Sequence, residues 1–367
     1  MRKQKESSRF GALHPPEARR AHAFFHPEPE RAGRDVFPIF LPFAGCPQRC
    51  AYCAQDVQTD RQPASTEAIL ATAANDLRAA PDTLEEFAFY GGTFTALPEA
   101  DLERCLTFAR SLRDAGRIRH FRCSTRPDAV NPAVLTRLKR SGCSLVELGV
   151  QSFSDAALAA SGRGYDGETA ERACRLVLDA GLALGIQLMP GLPGLSSEAA
   201  VEDAARAADV RPACARLYPC VVFAGSPLAR LWAAGSYVPL GEREAVEILA
   251  RSCLVLWKSG VRVIRMGLAE PVRLRPSVLA GPLHSSLGNL ARIRALFLLV
   301  EEEVRRFRSK GVGGRLLLRV PRSRQGEAFA PADLPLAPYA DIGIDRVEVH
   351  EGPDFLLMPL EGLGALP

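Results

Sequence analysis

The sequence predicts an α/β fold, a partial parallel (β/α)6 TIM-like barrel followed by a small α+β C-terminal region. Three observations carry this. Short apolar runs alternate with helical periodicity from residue 36 to residue 265. Pro98 and Gly181 punctuate helix starts and stops. Each cysteine- or glycine-rich turn follows the C-terminal end of an expected strand, where barrels carry their chemistry.

Taken in order, residues 1–34 are polar, Pro-containing and aperiodic, and read as a mobile basic N-terminal extension. The barrel is expected over 35–270. Its strands fall at 36–43, 86–90, 118–124, 145–150, 182–189, 214–222 and 261–265. Helices fall between them at 64–80, 98–115, 132–141, 167–181, 197–209 and 241–259. Residues 271–367 form a C-terminal region, with one long helix at 285–309 and short β segments after it.

With 367 residues, 47% of them hydrophobic, the chain can bury a large core. No run of eighteen apolar residues occurs, so no membrane span is expected. The first twenty residues lack an apolar h-region, which argues against a secretory signal. Seven of the ten cysteines are scattered without a CxxC pair, as in a reduced cytoplasmic protein. Cys123 and Cys220 read as inert core thiols. Charge is divided unevenly. Residues 251–325 carry 16 Lys/Arg against four Asp/Glu, and residues 326–367 carry one against eight. The basic block is either a nucleic-acid surface or a solvated face neutralised by the acidic tail.

The remaining cysteines, Cys46, Cys50 and Cys53, form a C-x3-C-x2-C triad with Tyr52 before the last. Three thiolates suit a 4Fe–4S cluster with one iron left open to a ligand, whereas four would close it. A zinc site lacking its fourth ligand, or coincidence, is the plainer alternative. The next strand ends in Gly91-Gly92-Thr93, a turn whose backbone can approach a ligand closely. Ser124-Thr125-Arg126-Pro127-Asp128 follows the third strand, and the fourth ends Glu147-Leu148-Gly149-Val150-Gln151-Ser152. A carboxylate and an amide there can hydrogen-bond ribose hydroxyls or satisfy the barrel core. Arg163, in Gly162-Arg163-Gly164-Tyr165, can clamp a carboxylate in a bidentate pair. Met189, before Pro190-Gly191-Leu192-Pro193-Gly194, is placed beside a ligand's base.

The triad followed by these motifs resembles the radical S-adenosylmethionine superfamily. The resemblance implies a cluster on Cys46, Cys50 and Cys53 whose open iron binds the amino and carboxylate groups of S-adenosylmethionine. One electron breaks the sulfonium C–S bond, and a 5′-deoxyadenosyl radical abstracts hydrogen from a substrate. It implies that Tyr52, Gly91, Gly92, Thr93, Glu147, Gln151, Arg163 and Met189 surround the cosubstrate. No further catalytic residue is assigned. A closer resemblance, carried by GCPQRCAYC, GGTFTAL, STRPDAV, ELGVQS, GRGY, MPGLPG and RLYPCVVFAGSPLARLW over 45–232, is to the radical domain of the tRNA-modifying Elongator catalytic subunit family. It implies a tRNA or other RNA substrate and a one-electron reductant such as flavodoxin or ferredoxin. The oxygen-independent coproporphyrinogen oxidase group shares the triad, GGT and GVQS but not the last stretch. Small-molecule radical chemistry of that type is the alternative, with a non-enzymatic cluster or haem carrier as a third reading.

Two departures from the Elongator pattern stand out. That family's cysteine spacing is often longer, and its members end in an acetyltransferase domain. Arg308-Ser309-Lys310-Gly311-Val312-Gly313 fits R-x-x-G-x-G, the acetyl-CoA pyrophosphate motif. That motif needs a strand before it and a helix after it. Here a helix precedes and β character follows, so a helix C-cap is expected and acetyltransferase activity is not. His284, in the loop before the long helix, could face a substrate but reads better as a structural loop histidine.

Overall fold

The computed structural model describes residues 21–30, 36–55, 57, 64–79, 84–268, 271–330 and 336–360. They fall into two compact units, residues 28–287 and residues 1–27 with 288–367. Strand β1 (His22–Phe24) belongs to the latter. The larger unit contains β2 (Val36–Leu41), β3 (Glu86–Gly91), β4 (His120–Thr125), β5 (Cys143–Gln151), β6 (Ala183–Leu188) and β7 (Cys214–Leu217), hydrogen-bonded side by side in that order. A short strand β8 (Val222–Phe223) intervenes in the chain, and β9 (Arg262–Met266) then adds beside β7. All six pairings are parallel. Seven strands joined by six crossovers therefore curl into a half-barrel. Strand β8 pairs antiparallel with β10 (Val278–Ala280) in a separate ribbon.

A parallel sheet covered by crossover helices is buried on both faces, so its strands read as nearly continuous apolar runs. Phe87, Phe89 and Phe121 supply the middle of the core, with ring centroids 5.0–5.9 Å apart. The outer helices begin where a side chain can cap them. Asn131, Ser154, Asp166, Ser196 and Ser226 each accept a hydrogen bond from the backbone N–H three residues on. Among the helices that escaped the sequence reading are Asp155–Ala160 and Pro227–Ala233. At six and seven residues they are too short to show a period. The strand expected over 214–222 breaks into β7 and β8, because Pro219 has no N–H for a ladder.

The smaller unit is a four-stranded sheet in the order β1, β13 (Phe355–Pro359), β11 (Leu316–Pro321), β12 (Ile344–His350), with the helix Leu287–Arg308. The compact units divide at 27/28 and 287/288, and the sequence reading drew its divisions at 34/35 and 270/271. Part of the segment expected to be a mobile extension is a strand. Phe24 stacks on Phe355 at 5.2 Å, and His22 Nε2 donates to the Glu303 carboxylate at 2.7 Å. Three residues carry no period of their own, and the partner strand lies at the other end of the chain. Residues 1–20 and 31–35 lie outside the described residues.

The R-x-x-G-x-G stretch is a helix terminus. Ser309 and Gly311 donate back to the carbonyls of Arg305 and Arg308, Gly311 takes φ +85°, and β11 follows. The basic block also resolves in part. Arg315, Arg319 and Arg322 pair with Asp345, Glu348 and Glu351 at 3.0, 3.3 and 2.5 Å. That end of the block is neutralised by the acidic tail.

Candidate functional site

The cysteine triad follows β2 and packs on the turn that follows β3. Thr93 N–H donates to the Ala44 carbonyl at 2.7 Å, and Gly92 N–H to the Leu41 carbonyl at 3.1 Å. Approach is so close that a Cβ on Gly92 would sit 2.0 Å from the Ala44 oxygen, and one on Gly45 would sit 2.3 Å from the Thr93 oxygen. Glycine is thus required where the two loops interlock, in addition to any approach of a ligand. Cys46 Sγ shares a 3.3 Å hydrogen bond with Thr93 Oγ1. Gly91, at φ +95°, lets β3 turn sharply into this contact.

Cys50 and Tyr52 are buried with Leu192, Cys220, Val222, Leu228 and Tyr237, and Cys53 and Met189 pack against that group. Burial, then the neighbouring Cys50 and Cys46 sulfurs, pushes the Cys53 thiol up to about 12. A metal must therefore displace a proton to bind it. Arg163 reaches Cys50 from the loop after the helix Asp155–Ala160. It donates from Nη1 to Cys50 Sγ and to Tyr52 Oη, both at 3.2 Å. It also donates from Nε to Tyr165 Oη at 2.9 Å and from Nη2 to the Gly149 carbonyl at 2.6 Å. The bidentate carboxylate clamp expected of Arg163 would have to break these bonds. Arg126, quoted in the sequence but given no role, lies alongside. It holds Asp128 in a bidentate pair at 2.9 and 2.7 Å, donates to the Arg163 carbonyl, and places Nη1 3.9 Å from Cys50 Sγ.

Glu147 lies deeper in the sheet. Gly185 stands beside it in register on β6 and has no side chain, so Glu147 reaches across to Arg216 on β7. The ion pair is 2.8 Å from Arg216 Nε, without an aligned N–H. Ser124 Oγ donates to the other oxygen at 3.1 Å, and Arg216 donates to Tyr90 Oη and Tyr218 Oη at 2.6 and 3.1 Å. Burial raises Tyr90 to about 12. The barrel-core reading of Glu147 accounts for both its oxygens. Arg216 was missed. Its only signal was a lone arginine inside an apolar strand, which demands a buried partner.

Gln151 ends β5 at φ +69°, a left-handed conformation that is uncommon for a residue with a side chain. Its amide oxygen accepts from Gln187 at 2.9 Å and its carbonyl from Met189 N–H at 2.7 Å. Phe43, at the end of β2, has φ +57°. Such strain concentrates at functional sites. Just beyond, Ser152 Oγ and Phe153 N–H donate to the buried Asp203 at 2.5 and 2.8 Å. Burial still raises that carboxyl to about 6.

All three site cysteines are free thiols. Among the described residues no three Cys, His, Asp or Glu side chains are grouped as for one metal ion. A 4Fe–4S cluster instead spreads its thiolates over the corners of a cube. One loop carrying three thiols beside two buried guanidinium groups is a fitting donor set for that anionic group.

The half-barrel and this loop define a class. Residues 40–207 match the Radical SAM superfamily, and residues 212–297 match the Radical SAM C-terminal domain. The chain belongs to this superfamily, whose enzymes use a 4Fe–4S cluster and S-adenosylmethionine. Within it, the chain is similar to Elongator-type proteins. The tRNA uridine(34) acetyltransferase of Methanocaldococcus jannaschii is 32% identical over 235 residues, which are 57% of this chain and 42% of that protein. Elongator complex protein 3 of Mus musculus is 30% identical over 250 residues, 62% of this chain and 44% of that protein. The solved archaeal Methanocaldococcus infernus Elp3 shares the fold with a TM-score of 0.54 at 24% identity, covering 74% of this chain and 63% of that one. The chain spans about half the length of the curated relatives it matches. Among the described residues, no helix is long and apolar enough to cross a membrane.

Proposed function

We propose that this chain cleaves S-adenosylmethionine reductively and directs the resulting 5′-deoxyadenosyl radical at an RNA, most concretely a tRNA. The observation that carries the chemistry is the three-cysteine loop locked onto Gly91–Thr93 at the C-terminal end of the sheet. In this reading Cys46, Cys50 and Cys53 hold the cluster. When bound, it supplies the electron that breaks the sulfonium bond, drawn from a flavodoxin- or ferredoxin-type reductant. Gly91, Gly92, Thr93, Gln151 and Met189 line the cosubstrate, Tyr52 and Arg163 stand behind Cys50, and Glu147 is held in the sheet interior by Arg216. The enclosed sheet interior keeps solvent and stray thiols from the radical.

The likeness to tRNA uridine(34) acetyltransferases supports the RNA substrate. So does the surface beside the cysteine loop. Helix Pro227–Ala233 is tied to that loop by a 2.9 Å bond from Leu228 N–H to the Ala51 carbonyl. It exposes Arg230 and Trp232, with Val238 beyond. Exposed indole and guanidinium planes are platforms on which unpaired bases stack.

Two measurements test this. Anaerobically reconstituted protein, given S-adenosylmethionine and dithionite, is expected to form 5′-deoxyadenosine, and Cys50→Ala is expected to form none. Unmodified tRNA should bind with an affinity that falls steeply with salt and should raise deoxyadenosine yield. Trp232→Ala should weaken binding by about 1–3 kcal/mol. Absent or salt-independent binding, with a response to an added tetrapyrrole instead, would refute the RNA substrate. A stable cluster without any cleavage would favour the carrier.

A further inference from the structure

We infer that Arg163, braced by Arg126, is a positioning residue for the cluster: its guanidinium supplies the buried positive charge that neutralises the Cys50 thiolate and raises the cluster's reduction potential. The inference rests on the cluster assignment above and is independent of the RNA substrate.

Charge accounting leads to it. Arg126 and Arg163 are each only 4% exposed. A buried charge is costly unless it is paired. Arg126 has its pair, the Asp128 carboxylate. Arg216 and Arg122, partly buried within the sheet, have Glu147 and Glu86. Arg163 has no carboxylate partner among the described residues. Its partners are two phenol oxygens, a backbone carbonyl and the Cys50 sulfur. Of these, the sulfur is the group that becomes an anion when it binds iron. The counter-ion that the fold withholds from Arg163 is therefore delivered with the metal.

The geometry fixes the guanidinium in that role. Tyr165 accepts from Nε and offers its ring face to both arginines, with centroid distances of 5.0 and 5.5 Å to Arg163 and Arg126. Tyr165 Oη and Arg163 Nη2 both donate to the Gly149 carbonyl. Arg126 donates to the Arg163 carbonyl and so ties down its backbone. Rigid N–H donors aimed at a cluster sulfur, together with net positive charge, favour the reduced state, which carries one more electron. A clamp on the cosubstrate's carboxylate, the role expected from sequence, requires turning this fork away from Cys50.

The two roles separate when S-adenosylmethionine is left out. The full chain is reconstituted anaerobically, iron and sulfide content is measured, and the cluster is titrated with redox mediators while the spin signal of its reduced form is recorded. Arg163→Gln should leave the reduced-to-oxidised ratio at a fixed potential about tenfold lower than in wild type, about 59 mV for a one-electron couple. Arg163→Lys, which keeps the charge but not the fork, should fall between. An unshifted midpoint in Arg163→Gln, with only S-adenosylmethionine affinity lost, would overturn the inference in favour of the carboxylate clamp. If Arg163→Gln takes up no cluster, Tyr165→Phe and Arg126→Gln are titrated in its place. A lowered midpoint in both sustains the inference and an unshifted one in both overturns it. A wild-type chain that takes up no cluster would overturn the metal assignment and this inference with it.

Discussion

Two interior arginines, Arg216 and Arg163, divide the barrel unit into a finished region and an unfinished one. Around Arg216 every charge is answered within the protein, by Glu147 and by the hydroxyls of Tyr90 and Tyr218. Around Arg163 every guanidinium nitrogen donates a hydrogen bond, yet among the described residues no carboxylate balances the charge. The contrast teaches how to tell structural from functional polarity when both lie inside the same sheet. A self-neutral cluster stabilises the sheet interior, and an uncompensated one marks where an anion binds.

The comparison breaks most sharply at Glu147. Glu147→Ala leaves Arg216 charged, buried and unpaired, so unfolding in denaturant should show a loss of about 3–5 kcal/mol. Arg163→Gln removes a charge that the metal-free protein does not balance, and should cost the apo protein clearly less. Equal losses would erase the distinction. A smaller effect is expected at the loop junction. Gly92→Ala places a Cβ against the Ala44 oxygen and must push the cysteine loop aside. It should destabilise by about 1–3 kcal/mol and reduce iron uptake on reconstitution. Normal uptake would show that the interlock does not set the thiols.

The gentlest test concerns Asp203, whose carboxyl titrates near 6 because burial outweighs its two hydrogen bonds. The folded state holds its proton more tightly than the unfolded chain, whose carboxyl has the ordinary value of 3.8. Its contribution is therefore fully present below about pH 4 and is lost as pH rises through 6. The loss is on the order of 2–3 kcal/mol. Stability measured from pH 4 to 7 should fall less steeply in Asp203→Asn than in wild type. Parallel curves would show that the buried carboxyl is already solvated by its neighbours.

The sequence by itself determined the parallel sheet, the positions of its strands and longer helices to within a few residues, and the superfamily to which the cysteine loop points. These are local properties. Periodicity, capping residues and the C-x3-C-x2-C spacing act over a few residues and survive being read one at a time. Four matters were decided only by tertiary structure: that His22–Phe24 pairs with β13, that Arg216 answers Glu147 across a glycine on β6, that Gly92 makes room for Ala44, and that Arg163 turns to Cys50. Each depends on which groups meet across long stretches of chain once the strands are in register. A linear pattern specifies an arginine but not its counter-ion, because charge neutrality in a low-dielectric interior is settled by the groups the fold brings within contact, not by those that are neighbours in sequence.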